Sequence, residues 1–546
     1  MERKTLCIIF CTLLIIPLLP TAQPTHITPL PPTTDPHITL FTGWTQQQKL
    51  LTSDGTFGDC FGFTIALDGD TALIGAFGDS TQGDIGSAYI FTRTGTTWTQ
   101  QAKLFPTSGG YYDFFGYAVA LDDDTALIGA PGSQFNPPYP GAAYIFTRTG
   151  TTWTQQAKLV PSDGDNGDYF GNSVALDGDT ALIGSEYWSG TGSTYVFTRT
   201  GTSWTQRTKI TPYDGINGEM FGYSLSLEGT TCLIGAPMDD DNGGASGSVY
   251  VYTGSGSTWT PQTKLLATDG AQLDSFGISV SLHTDTALIG ADWDSDNGEK
   301  SGSAYIFTRT GTSWTQQAKL LPTDGTPEAC FGHSVSLSED TALIGANEDD
   351  DPVYNAGSAY LFTRTDTTWT QQNKLLPTDD PEGRLFGEAV SIDADTALIG
   401  AYGDSDNGPG AGATYVFIKQ NTPPTPPEIT GPAEGKPKTP YTYSLQSTDP
   451  DNQQLSYYID WGDGTNSGWI GPYASEESIN ATHTWSKKGS YTIQAKAKDI
   501  QDLESDWGTF EIAMPYALDL PSSPFWQRLL EWFPHAFTFL YHLIGL

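Results

Sequence analysis

At 546 residues the chain is too long for one ordinary domain, and 63 Asp and Glu against 25 Lys and Arg give a formal charge of −38. Such a surface repels phosphate backbones, which excludes nucleic acid as a partner and favours divalent cations and neutral or cationic ligands. Abundant Gly, Thr and Tyr, with few Lys, Glu or Leu runs, lean towards β structure.

The N-terminus comes first. Arg3 and Lys4 precede an apolar run from Leu6 to Leu19, and Thr21-Ala22 offers small residues for cleavage, a layout that predicts a signal peptide over 1–22 and a linker over 23–40. Pro17 and Pro20 interrupt the run, which is short for a membrane span. Export is the consequence. Cys7 and Cys11 leave with this segment, and Cys60, Cys232 and Cys330 are too few and too scattered for a disulfide framework.

From residue 41 the chain repeats itself. "FGNSVALDGDTALIGS", Phe170 to Ser185, has six near-copies, marked by Phe61, Phe115, Phe221, Phe276, Phe331 and Phe386, each followed by Gly. The Trp of "WTQQAKL" keeps step at Trp44, Trp98, Trp153, Trp204, Trp259, Trp314 and Trp369. Each unit reads as four strands: "WTQQAKL" and "FGNSVAL" alternate, "TALIGA" is a short apolar run, and "GSAYIFTR" is aromatic and β-branched. One four-stranded sheet cannot bury both faces alone, so the units must pack on one another. The array opens with a lone Trp strand and stops at Gln420 without one, so the first strand completes the last sheet. This predicts an all-β fold, a seven-bladed propeller over 41–420, with no sheet edge left open.

Phe-Gly followed by an apolar strand ending in Gly-Ala-Pro, as in Gly129-Ala130-Pro131 and Gly235-Ala236-Pro237, resembles the FG-GAP repeat of integrin α-type propellers and many secreted microbial proteins. The resemblance implies a propeller but no single activity, since such rings serve adhesion receptors, lectins and polysaccharide-cleaving enzymes. It also implies a calcium loop just before the apolar strand. Here that place holds only "LDGDTALIG", too short to wrap the ion, so the family's site is not carried over.

Strand parity puts "LDGD" and "TRTGTTW" on one side of the ring. The long, variable connections before Phe-Gly and after Gly-Ala share the other, the side on which integrin-like propellers bind. On this loop side "DWDSDNG" spaces Asp292, Asp294, Asp296 and Asn297 at positions that can converge on calcium, and Asp239, Asp240, Asp241 with Asn242, and Asp404, Asp406 with Asn407, echo it. Asp163, Asp165, Asn166 and Asp168 form a weaker echo, and plain solvated turns are the favoured reading of all four groups over calcium. Phe135, Tyr139, Tyr187, Trp188, Trp293 and Tyr354 are loop aromatics suited to stacking on a sugar or anchoring a protein. The ring has only His283 and His333 and no catalytic motif, so a non-catalytic protein is expected.

"NTPPTP" from Asn421 to 426 is a Pro-rich spacer. Beyond it, Trp461-Gly462-Asp463-Gly464-Thr465 with His483, Trp485, Gly489 and Tyr491 looks like a PKD domain, an Ig-like β-sandwich over 427–514. Asp449, Asp451 and Asp463 read as turn formers before cation ligands, and Asn480-Ala481-Thr482 is a glycosylation sequon. The aromatic tail 515–546 is split by Pro534 and is either an interfacial or envelope-contacting helix or a packed one. Taken together, these features predict an exported surface or extracellular adhesion protein that binds a glycan or protein ligand, with calcium as its candidate cofactor. A polysaccharide lyase or hydrolase, or a structural envelope component, are the alternatives.

Overall fold

A computed structural model describes residues 43–80, 85–108, 110, 112–132, 140–165, 167–186, 190–379 and 383–514. The expected signal peptide, linker and aromatic tail lie outside the described residues. No described helix is long and apolar enough to cross a membrane. Two compact units divide between Lys419 and Gln420.

The first unit is a ring of seven four-stranded antiparallel sheets. In the first sheet an inner strand, Ile65–Asp68, is followed by Thr71–Ala76, Ser87–Thr94 and the outer Trp strand Thr97–Leu104. Six sheets follow this sequential order. The seventh pairs the N-terminal strand Trp44–Leu50 antiparallel with Ala413–Lys419, so the two ends of the array close on each other. The "TALIGA" strands are buried along all or nearly all of their length, as a strand covered by sheets on both sides must be. Inner strands of successive sheets touch around the axis.

The Phe-Gly pair departs from expectation. In the third unit the strand begins at Val174, and Phe170-Gly171 forms a turn outside it. Phe170 makes a parallel bridge to Gly141 of the preceding blade instead. A junction explains the change. The Phe ring packs edge-on within its own blade, as Phe331 does on Tyr360 with centroids 5.4 Å apart, while the Gly passes under the neighbour. Gly332 has φ of +94°, and a Cβ added at Gly290, in "LIGA" of the previous blade, would stand 1.9 Å from Gly332 O. Two backbones therefore meet with no room for a side chain at either position.

Two further bond sets lock the blades. Arg309 donates to Asp285 at 2.6 Å within its blade and to Thr231 at 2.8 Å in the preceding one, and its guanidinium lies over the Trp314 ring. On the short-turn side the turn amide of most blades is held by the previous blade's acid: Asp123 N donates to Asp68 at 2.6 Å, Gly178 N to Asp122 at 2.8 Å, and Gly69 N to Asp393 at 2.7 Å across the closure, while Ala394 N donates to the Ser338 hydroxyl at 3.2 Å.

The second unit is a sandwich of a three-stranded sheet, Glu428–Thr430, Tyr441–Gln446 and Ile479–His483, and a four-stranded sheet led by Leu455–Asp460 and Gly489–Lys498. Trp485 is buried between them, and His483 stacks on Trp461 at 4.7 Å while bonding Asp463 at 2.9 Å. Asp449 accepts the amides of Asp451 and Gln453, a local turn closure.

Candidate functional site

The two long connections of neighbouring blades do not stand free. They are zipped together: Leu273 N donates to Gly244 O at 2.9 Å and Ser275 N to Ala245 O at 3.1 Å, and Cys330 N donates to Lys300 O and Cys60 N to Gly410 O in the same way. Each seam thus joins the loop after one Gly-Ala to the loop before the next Phe-Gly.

Under four of the seams three acidic residues gather about a lysine. Lys264, from the Trp strand, places Nζ 2.7 Å from Asp239, 2.6 Å from Asp241 and 3.4 Å from Asp214. Lys319 does the same for Asp294 (2.8 Å), Asp296 (2.5 Å) and Asp269 (2.9 Å). Lys374 serves Asp324, Asp349 and Asp351, and Lys49 serves Asp379, Asp404 and Asp406. The middle Asp is buried in every case and also accepts from the Tyr of "AYIF", such as Tyr305 to Asp294 at 2.8 Å. Burial by itself would drive each lysine towards its neutral form, but the carboxylates outweigh it and hold Lys264 and Lys319 above their ordinary value.

Three of the acidic loops marked in the sequence are thus gathered, but around a side-chain ammonium. Asp379, Asp404 and Asp406 present oxygens within 4.8 Å of one another, close enough for a metal ion, and Lys49 lies among them with Arg384 bonded to Asp404. Asn242 and Asn407 donate to Ala267 O (3.0 Å) and Thr52 O (2.8 Å) of the next loop, and Asn297 is exposed. Asp292 does not join Asp294 and Asp296, because it bonds His333 of the next blade at 3.1 Å. Sequence reasoning missed the lysines and the third acid of each set. Both repeat at the blade period, Lys264 with Asp269 and Lys319 with Asp324, which was the available signal. Where Ser108 replaces that Asp, Lys158 lacks this acid and lies over the Tyr144 ring, 5.3 Å from its centroid, with Asp113 near enough to feel its charge.

Of the loop aromatics, Phe135, Tyr139, Tyr187 and Trp188 lie outside the described residues, as does Asn166. Trp293 is half-buried under Lys300, 4.6 Å from its centroid. Tyr354 is 75 % exposed and shares the loop side with Ile216 (57 %), Tyr213 (54 %), Leu273 and Phe57. Cys60, Cys232 and Cys330 are buried.

The FG-GAP repeat model matches seven times, at residues 44–91, 98–146, 153–197, 204–252, 259–307, 314–362 and 369–417. The chain belongs to the FG-GAP repeat family. A PKD domain model matches 421–514. This part is similar to the PKD domain of an M14-like peptidase from a Thermoplasmatales archaeon, at 52 % identity, covering 18 % of this chain and all of that one with a TM-score of 0.18. It is also similar to the PKD domain of the human VPS10 domain-containing receptor SorCS2, at 20 % identity, 19 % and 80 % coverage and a TM-score of 0.14. A Mycobacterium tuberculosis puromycin-hydrolysing peptidase aligns over 82 % of this chain and 58 % of its own at 9 % identity, with a TM-score of 0.37. No curated protein matches. FG-GAP repeats followed by a PKD domain fit a protein of the adhesion and binding type.

Proposed function

We propose that this FG-GAP protein is an exported, non-catalytic binding protein whose ring takes an extracellular glycan or protein on its loop side. One observation carries the reading: the residues common to all blades are used up in junctions, while the exposed large apolar side chains Phe57, Tyr213, Ile216, Leu273 and Tyr354 stand on the connections that vary. Large apolar groups held on rigid loops are suited to recognition and cost stability otherwise. At the Lys264, Lys319 and Lys374 seams the lysine ammonium takes the place of a calcium ion.

A glycan array and a pull-down from extracellular extract, each with and without chelator, test the proposal. The expected result is a ligand retained in chelator and lost in a triple variant, Tyr213→Ser, Ile216→Ser and Tyr354→Ser. Release of reducing or unsaturated sugars would replace it with an enzyme, and identical capture by the variant would remove the loop side from the account.

A further inference from the structure

The residue after each Phe-Gly and the residue after each Gly-Ala form a collar around the ring axis. They meet across the junctions: Tyr402 of the seventh blade packs on Phe63 of the first at 5.7 Å, Phe77 of the first on Tyr117 of the second at 5.6 Å, and Asp292 of the fifth bonds His333 of the sixth. Asn347 of the sixth donates to Glu388 of the seventh at 2.8 Å. One arc is therefore aromatic and the adjoining arc is polar.

The polar arc has an unusual balance. His333 Nδ1 is 3.1 Å from Asp292 and Nε2 is 3.6 Å from Glu388. Burial would favour the neutral ring, but these two carboxylates prevail and hold it protonated, its pKa well above the ordinary value. One cation thus faces two anions, with Glu348 close by, itself pushed up by burial. Burial also raises Glu186 to about 8, and burial raises the Tyr223 hydroxyl, with the charges of Glu186, Asp292 and Glu388 adding to it. Asp292 is 5 % exposed and Asn347 7 %, yet Asp292 Oδ1 and Asn347 Oδ1 have no hydrogen-bond partner among the described residues. An unpartnered buried acceptor is costly, because it gives up its bonds to water without replacement. Both orphans accept and cannot donate, and both flank a net negative charge.

We propose that the axial collar of the ring is a binding site for a primary ammonium group, which donates to Asp292 Oδ1 and Asn347 Oδ1 beside the Asp292–His333–Glu388 bridge. The inference rests on the binding-protein reading and adds a site apart from the loop tips. A strong donor bearing positive charge supplies what the two acceptors lack, and a neutral hydroxyl supplies only half of it. The ammonium can come from an amino sugar or from an alkylamine, and the two sources separate on titration.

The test is calorimetry or ligand-observed NMR on the full chain with glucosamine, N-acetylglucosamine and cadaverine. Expected is binding of glucosamine with Kd on the order of 1 mM and none of its N-acetyl form. Cadaverine binding equally would assign the site to amines in general, and cadaverine failing would assign it to amino sugars. Two variants guard against misfolding because they act in opposite directions. Asp292→Asn weakens ammonium binding about tenfold by removing a charged acceptor, whereas His333→Gln tightens it by removing the positive charge. A purely structural role would weaken both. Equal binding of glucosamine and N-acetylglucosamine, no binding of either amine, or unchanged affinity in Asp292→Asn overturns the proposal. The triple loop-tip variant should bind amines normally, so failure of the loop-side reading leaves a different trace.

Discussion

Replacing Lys319 by Met tests the claim that the seam lysines stand where a metal would otherwise be needed. Nζ lies 2.8 Å from Asp294, whose side chain is 3 % exposed, and also contacts Asp296 and Asp269, which are 61 % and 40 % exposed. Removing one member of a buried ion pair costs about 3–5 kcal/mol, because the other charge is left without compensation. Two of the three carboxylates here keep water, so the expected loss is about 3 kcal/mol. Guanidinium unfolding followed by Trp fluorescence reads it as a lower midpoint, and Lys319→Met with Asp294→Asn should recover most of it. The pH dependence follows from the signs. Burial raises the Asp294 pKa, but Lys319, the Asp296 amide and Tyr305 overcome this and leave it below 3.8, so its contribution is present above that value and is lost as pH falls through the folded pKa. Lys319 is raised above 10.5, so its contribution is complete below that value and is lost only as pH rises through the folded one. The gap between wild type and variant should stay flat from about pH 5 to 9 and shrink below about pH 4. A loss under about 1 kcal/mol, the range of a surface pair, would refute the reasoning.

Gly290→Ala sets a Cβ 1.9 Å from the Gly332 carbonyl at a junction of two backbones, so neither side can yield cheaply. It should cost about 3 kcal/mol or more by the same unfolding measurement. Deleting residues through Leu50 removes the strand paired with Ala413–Lys419 and leaves that edge bare, so light scattering should report aggregation that the full chain lacks. In the PKD unit, His483→Ala removes the stack on Trp461 and the bond to Asp463 and should destabilise that unit by about 1–3 kcal/mol while the ring transition stays in place, as calorimetry can show. The signs again define the pH window: Asp463 is held below 3.8, with its bonds to Thr465 and His483 overcoming burial, so its share is present above 3.8 and is lost as pH falls through its folded pKa.

The linear chain determined the number of blades, their strand order and the strand that closes the ring, because each depends on a period and on hydrophobic alternation, which a sequence displays directly. It also marked Asp239, Asp294 and Asp404 as exceptional, since one spacing recurred in several loops. Only the folded ring decided what those acids face. Lys319 lies 25 residues from Asp294 and 50 from Asp269, and nothing in local spacing shows that the outer strand of one blade aims its ammonium under the seam. The collar was hidden for the same reason. His333 and Asp292 look unrelated within their own units, but closing a ring brings the residue after Gly-Ala of one blade against the residue after Phe-Gly of the next, and charges that are far apart along the chain then share one poorly hydrated space.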